Sequence, residues 1–179
     1  MEKIEPELIE SFIDLNQFLQ RHAIRYCLIG VLAAGYWGEP RYTKDIDFTV
    51  VSHTRRLDEI AGLLKGEGYK IRNKGESQLQ VVQKGDRHFL ADLILADTDY
   101  QDWVVQRAVS VPMFSIHVPI CSPEDLVILK IIANRRQDLL DIENVLKNHS
   151  KNLDKNYLQK WFAFWEVEDR FKKEFPSAL

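Results

Sequence analysis

Leu28-Ile29-Gly30-Val31, then thirteen residues, then Asp45-Ile46-Asp47-Phe48-Thr49-Val50-Val51: this stretch decides the fold. Residues 26–29 form a short apolar strand that Gly30 ends, and residues 31–37 suit a short helix that Gly38-Glu39-Pro40 breaks. Residues 45–51 are rich in β-branched and aromatic types and read as a second strand. Side chains alternate along a strand, so Asp45 and Asp47 share one face while Ile46 points to the core. Their Cβ atoms then lie about 6–7 Å apart, a spacing at which carboxylates can hold one divalent cation jointly or two cations about 3.5–4 Å apart.

A third acid stands in a similar setting. Asp92 interrupts the nearly continuous apolar run Phe89-Leu90-Ala91-Asp92-Leu93-Ile94-Leu95-Ala96. An ionised carboxylate in such a strand is costly unless it is paired or metal-bound. Three converging carboxylates would also raise one another's pKa. A cation among Asp45, Asp47 and Asp92 relieves both penalties, and Mg²⁺ suits an all-oxygen set that leaves room for substrate phosphates. Gly30 lets the backbone approach a ligand closely, and the helix that follows presents unpaired N–H groups to a phosphate. Arg41 and Lys44 stand just before the acids, where their charge can neutralise phosphate or simply be solvated in a loop.

Outward from this stretch, residues 7–21 carry apolar side chains largely at helical spacing behind Pro6. Residues 57–65 read as a helix that stops at Gly66 and Gly68. Residues 79–83 and 87–96 read as strands joined by the turn Lys84-Gly85-Asp86. Residues 109–113 and 114–118 suit further strands or a kinked ribbon, with Pro112 limiting the pairing. Ser122-Pro123-Glu124-Asp125 then starts a helix, with Ser as N-cap, Pro at the first helical position and acids in the first turn. From there the pattern is helical, near 123–134, 136–148 and 155–174. The expectation is an α+β chain: a mixed sheet with flanking helices over residues 1–120, then a helical region over 121–179.

The 179 residues are 45% hydrophobic and 28% charged, an ordinary globular balance that allows a full core. Net charge is −3 and the pI about 6.0, which argues against a binder of bulk duplex nucleic acid. A local basic cluster, Lys65, Lys70, Arg72, Lys74, Lys84 and Arg87, is either a solvated face or a groove. Cys27 and Cys121 lie in apolar runs and read as buried free thiols suited to a reducing cytoplasm. The N-terminus has no apolar signal core, and no stretch approaches the roughly 18 apolar residues of a membrane span. There is no G-x-G-x-x-G after a strand and no phosphate loop ending in Lys-Ser/Thr. His22, His53, His88, His117 and His149 show no zinc-ligand spacing, and no G-x-S-x-G element suggests a serine hydrolase. Trp161, Phe162, Phe164, Trp165 and Phe171 are many aromatics for one amphipathic helix; most suit the core, and an excess suits an interface.

These residues resemble the polymerase-β-like nucleotidyltransferase superfamily, whose signature is a strand, a Gly-(Gly/Ser) turn, Asp-h-Asp/Glu after about nine to thirteen residues, and a third Asp on a later strand. The run Arg41-Tyr42-Thr43-Lys44-Asp45-Ile46-Asp47 is similar to the Arg-x-Thr-x-Asp-h-Asp of AbiEii-type members. Lys130, followed by Arg135-Arg136-Gln137-Asp138-Leu139-Leu140-Asp141, is similar to the Lys…Arg-x-x-Asp-h-x-Asp helix pair of the same branch. The likeness covers about residues 24–148.

The resemblance implies transfer of a nucleoside monophosphate from a nucleoside triphosphate to a hydroxyl, with two Mg²⁺ ions. Asp45 and Asp47 would bind metal and triphosphate, and Asp92 would join a second metal and help deprotonate the acceptor. Gly30, Val31, Arg41, Thr43, Lys44, Lys130 and Asp138 would line the nucleotide site, Asp138 either orienting Lys130 or touching the ligands. Read from the residues alone, Lys130 in its apolar helix either snorkels outward or meets negative charge. Asp138 and Asp141 also suit the first turn of the next helix. The acceptor is left open among small molecules, proteins and RNA. Val31 stands where the family has Gly or Ser, without a hydroxyl and with more bulk. It favours a second reading, a weak or inactive module acting through a protein partner in a toxin–antitoxin-like setting.

Overall fold

The computed structural model describes residues 4–51, 57–73 and 75–178. His53 and Lys74 lie outside the described residues. The elements run α1 (Pro6–Arg21), β1 (Arg25–Ile29), α2 (Gly30–Trp37), β2 (Asp45–Val51), α3 (Leu57–Gly66), β3 (Tyr69–Asn73), β4 (Gln78–Lys84), β5 (Arg87–Leu95), α4 (Asp99–Gln106), β6 (Val109–Met113), β7 (Ile116–Ile120), α5 (Pro123–Ala133), α6 (Arg136–His149), α7 (Lys155–Phe164) and α8 (Glu168–Glu174). The fold is α+β, as expected.

Contacts divide the chain into two compact units. The first holds Met1–Leu32 and Tyr42–Cys121; the second holds Ala33–Arg41 and Ser122–Leu179. The helical region thus begins one residue later than the division at 120/121 places it. It also takes in the end of α2 and the loop before β2.

The first unit is built on a seven-stranded mixed sheet in the order β3-β4-β5-β2-β1-β7-β6. β1 and β2 are antiparallel, β2 and β5 parallel, and β1 and β7 parallel. Along β2, Ile46, Phe48 and Val50 are fully buried. Phe48 stacks on Phe12 of α1, whose ring also meets Phe114 edge-on. Alternation therefore sends Asp45 and Asp47 to the opposite face. Pro112 sits on the edge strand β6, where the missing N–H costs no ladder bond to a further strand. The β6–β7 turn puts both Phe114 and Ser115 at positive φ, as a tight two-residue hairpin requires. The ribbon therefore resumes at Ile116 rather than at Phe114.

Two described members of the basic cluster, Lys84 and Arg87, are paired with α1. Arg87 pairs with Asp14 and Glu10 of α1, and Lys84 reaches Asp14 and the Tyr69 ring. Cys27 and Cys121 are buried free thiols.

In the second unit α5 packs on α6 and α7, and α7 on α8. Ser122 caps α5 by accepting from the Asp125 N–H at 3.1 Å. Two elements differ from expectation. A single helix over 155–174 is broken: Glu166 takes a positive φ of 55°, and α7 and α8 meet there as a corner closed by Phe162 against Phe171 at 4.5 Å. Trp161, Phe162 and Phe171 are core residues, whereas Phe164 is 65% exposed. β3 and α4 lie in stretches the sequence pattern leaves unassigned. No described helix is long and apolar enough to cross a membrane.

Phe12 is the packing centre of the first unit. Phe12→Ala should cost about 3–5 kcal/mol and lower the midpoint by roughly 6–20 °C in thermal unfolding.

Candidate active site

Gly30 closes β1 and opens α2 with φ at +70°, a conformation that favours glycine. A Cβ built on it would meet Asp47 Oδ2 at 2.0 Å. The Asp47 carboxylate thus lies directly on the Gly30 backbone, at the start of α2, and Asp47 stands opposite Ile29 in the β1–β2 ladder. This close approach is the physical reason for glycine here.

The third acid comes to the same place through the parallel β2–β5 pairing. Asp47 is the register partner of Asp92, and Asp45 of Leu90. Paired residues share a face and strands lie about 4.8 Å apart, so Asp47 and Asp92 are immediate neighbours, with Asp45 two residues along. Asp92 and Asp47 are half-buried and Asp45 is exposed. The next strand adds a residue that sequence alone does not single out. Gln80 on β4 pairs with Asp92, is buried, and donates from Nε2 to Asp92 Oδ1 at 2.9 Å. Only the β4–β5 register reveals it. Among the described residues, no three Asp, Glu, His or Cys side chains are grouped closely enough to hold one metal ion by themselves. The close set is the pair Asp47–Asp92, and further ligands would have to be substrate oxygens or water.

Two of the other candidates in the first unit have local duties. Thr43 is buried, and its Oγ1 accepts from the Asp45 N–H at 3.1 Å, fixing the start of β2. Lys44 is exposed, its Nζ 5.8 Å from the Tyr42 ring centre. Val31 is half-buried in the first turn of α2.

The remaining candidates meet within the second unit. Lys130 on α5 is only 5% exposed. Its Nζ donates to Asp138 Oδ1 at 2.8 Å and to Asp141 Oδ2 at 2.7 Å. Each aspartate holds an arginine as well. Arg41 grips Asp141 with Nε and Nη2 at 3.0 and 3.1 Å. Arg135 grips Asp138 with Nε and Nη2 at 2.6 and 3.1 Å and adds its backbone N–H at 3.2 Å. Asp138 is thereby also the capping acid of α6. Of the two readings for Lys130, snorkelling and a negative partner, the second holds. Asp138 is one of those negative partners. Arg41 is engaged by Asp141, a partner that lies a hundred residues away and has no local sequence signal.

Burial pushes the Asp138 carboxyl up, but the hydrogen bonds from Arg135 and Lys130 outweigh it and hold it below the ordinary aspartate value. Asp141 is likewise raised by burial and lowered further by Arg41 and Lys130, ending below that value.

A family match accompanies this geometry: residues 7–174 fit the family described as nucleotidyltransferase of unknown function (DUF6036). The chain belongs to that nucleotidyltransferase family. No curated protein matches it in sequence. In fold, this chain is similar to an antigenic nucleotidyltransferase-like protein from Paracoccidioides brasiliensis, at 18% identity, TM-score 0.60, over 98% of this chain and 95% of that one. It is also similar to ANT(2")-Ia, solved in complex with adenylyl-2"-tobramycin, at 14% identity, TM-score 0.60, over 91% and 98%. The lincosamide antibiotic adenylyltransferase LnuA, solved with lincomycin, is similar at 15% identity, TM-score 0.55, over 80% and 97%. These likenesses establish the nucleotidyltransferase fold.

The ion cluster makes two checkable statements. Lys130→Met leaves two buried carboxylates with one cation each and should cost about 3–5 kcal/mol in urea unfolding at neutral pH. Asp138 and Asp141 have depressed folded pKa values, so their stabilising contribution is full above 3.8 and is lost as pH falls through the folded values. Asp138→Asn/Asp141→Asn should be less stable at neutral pH yet lose less stability than wild type on acidification below 3.8.

Proposed function

We propose that the protein is a Mg²⁺-dependent nucleotidyltransferase that moves a nucleoside monophosphate from a nucleoside triphosphate to an acceptor hydroxyl. The observation that carries this reading is the Asp47–Asp92 register pair beside the Gly30 turn, in a chain of a nucleotidyltransferase family. The Arg-x-Thr-x-Asp-h-Asp run supports the AbiEii-type branch.

The donor set fits the metal. Asp47 and Asp92 offer only oxygen, and two carboxylates completed by phosphate oxygens and water are an ordinary Mg²⁺ environment. Asp47 and Asp92 would hold it, substrate oxygens would complete the set, and Asp45 stands two residues along β2 on the same face. Bound there, Mg²⁺ supplies charge neutralisation for the triphosphate and for the oxygens entering and leaving phosphorus. The rest falls to the chain. The first N–H groups of α2, beside the Asp47 carboxylate that Gly30 admits, offer a phosphate a positive seat. Gln80 fixes the Asp92 carboxylate in the orientation from which it accepts the acceptor's hydroxyl proton. The acceptor oxygen then bonds to the α-phosphorus, the bond to the bridging oxygen breaks, and pyrophosphate leaves. Thr43 holds the start of β2 so that Asp45 and Asp47 keep their face. Lys130 and Asp138 serve within the helical unit as an ion cluster, and Arg41 as its anchor on Asp141. The solved likeness to two antibiotic adenylyltransferases supports a small-molecule acceptor.

A second reading, a weak or inactive module of this fold acting through a protein partner, is favoured by Val31 in the first turn of α2 and by the 65% exposed Phe164. It predicts a metal-independent partner complex and no nucleotide binding.

Isothermal titration with Mg²⁺ and each of the four ribonucleoside triphosphates separates the two. At least one nucleotide should bind wild type in a Mg²⁺-dependent way and fail to bind Asp45→Ala/Asp47→Ala. Equal binding by the double variant, or none by wild type, would sink the transferase reading.

A further inference from the structure

At the end of the sheet where β2 begins, the first unit has a groove of ≈ 400 Å³. Its apolar floor includes Val82 and Leu90, and Leu90 is 36% exposed although it is a large hydrophobic residue. Lys44, Arg72 and His88 line the same groove. Among the described residues, none of these three has a carboxylate partner. Lys84 and Arg87, on the same ribbon, are by contrast paired with α1. Glu5 and Glu7 also line it; Glu5 is engaged by the Tyr42 hydroxyl at 3.2 Å, and Glu7 is exposed.

The groove is tied to the acids by register. Leu90 is the partner of Asp45. One row across four strands reads Arg72 on β3, Gln80 on β4, Asp92 on β5 and Asp47 on β2. Arg72 is thus two strand spacings, roughly 10 Å along the sheet, from the acid that would take the acceptor's proton. A volume in this range suits a small molecule rather than a macromolecular surface. Apolar area calls for an apolar body, and the charges of Lys44 and Arg72, with the His88 ring as a further hydrogen-bond donor, call for an anion.

We propose that this groove is the acceptor pocket and that it selects a small acceptor with an apolar body and an anionic group, held by Arg72 and His88 with its hydroxyl toward Asp92. The assignment rests on the transferase reading above. It makes polycationic acceptors poor substrates, in spite of the fold shared with ANT(2")-Ia.

The test is a two-dimensional NMR titration of the ¹⁵N-labelled full chain saturated with Mg²⁺ and a non-hydrolysable ATP analogue, so that phosphate seats are filled. The probes are phenyl phosphate, benzyl alcohol, benzylamine and a short single-stranded RNA. Phenyl phosphate should shift the amides of Arg72, Val82 and Leu90 and bind best of the three small probes. Arg72→Ala/His88→Ala should weaken it about tenfold or more, as loss of charge-assisted bonds does, with nucleotide affinity held. Arg72→Lys should recover part of the binding. Stronger binding of benzylamine or benzyl alcohol, shifts confined to other residues, or RNA binding that phenyl phosphate does not compete overturns the proposal. Failure of the nucleotide titration in wild type is read separately and removes the acceptor role together with the transferase reading.

Discussion

The contact between the Asp47 carboxylate and the Gly30 backbone is the constraint on which the rest of the first unit's chemistry depends. It needs a residue without Cβ at the end of β1, since any side chain there would collide with Oδ2 at 2.0 Å. It also needs β1 and β2 antiparallel in the register that sets Ile29 opposite Asp47. The parallel pairing of β2 with β5 then delivers Asp92 to the same row, and β4 delivers Gln80 to hold it. A shift of any strand by one residue would turn its acid to the buried face, where Phe12 and Phe48 stack. Core packing and site geometry are therefore specified by the same pleat.

The second unit solves a different problem. A lysine 5% exposed within the apolar run of α5 must be neutralised, and two aspartates of α6 do so from successive turns. Two negative charges around one positive charge leave one negative charge over, and Arg135 and Arg41, one on each aspartate, more than offset it. The ladder Arg41–Asp141–Lys130–Asp138–Arg135 is fully satisfied, which is the condition under which a buried ionic network holds one arrangement rather than several. It has a further effect on the loop before β2. Asp141 ties down Arg41, Asn148 donates to the Gly38 carbonyl at 3.2 Å, and a Cβ on Gly38 would meet Asn144 at 2.9 Å. The segment Gly38 to Arg41 is thus seated on α6, four residues before Asp45 in the chain.

Where the sequence carries local periodicity, it was legible. Asp45 and Asp47 on one face, Ile46 in the core, and the capped start of α5 all follow from alternation and cap chemistry, and the structure reproduces them. The pairing partners were not legible. Gln80 matters only because β4 lies beside β5 in a particular register, and Arg41 only because α6 returns to it. α4 had a readable start, since Thr98 and Gln101 form a reciprocal cap, but its eight residues are too few for a clear apolar stripe. β3 is five residues with alternating Lys and Arg, which resembles a solvated loop. The break at Glu166 has no signal at all, because a non-glycine residue at positive φ is imposed by packing, here of Phe162 on Phe171.

The central claim is that the Gly30–Asp47–Asp92 arrangement seats a metal and a nucleotide together. It is tested most directly by Mn²⁺ electron paramagnetic resonance of wild type and Gly30→Ala, with and without nucleoside triphosphate. The account predicts that nucleotide tightens Mn²⁺ binding in wild type and that Gly30→Ala, by displacing Asp47, weakens it about tenfold or more while the fold is retained. Mn²⁺–nucleotide binding by Gly30→Ala equal to that of wild type would contradict it.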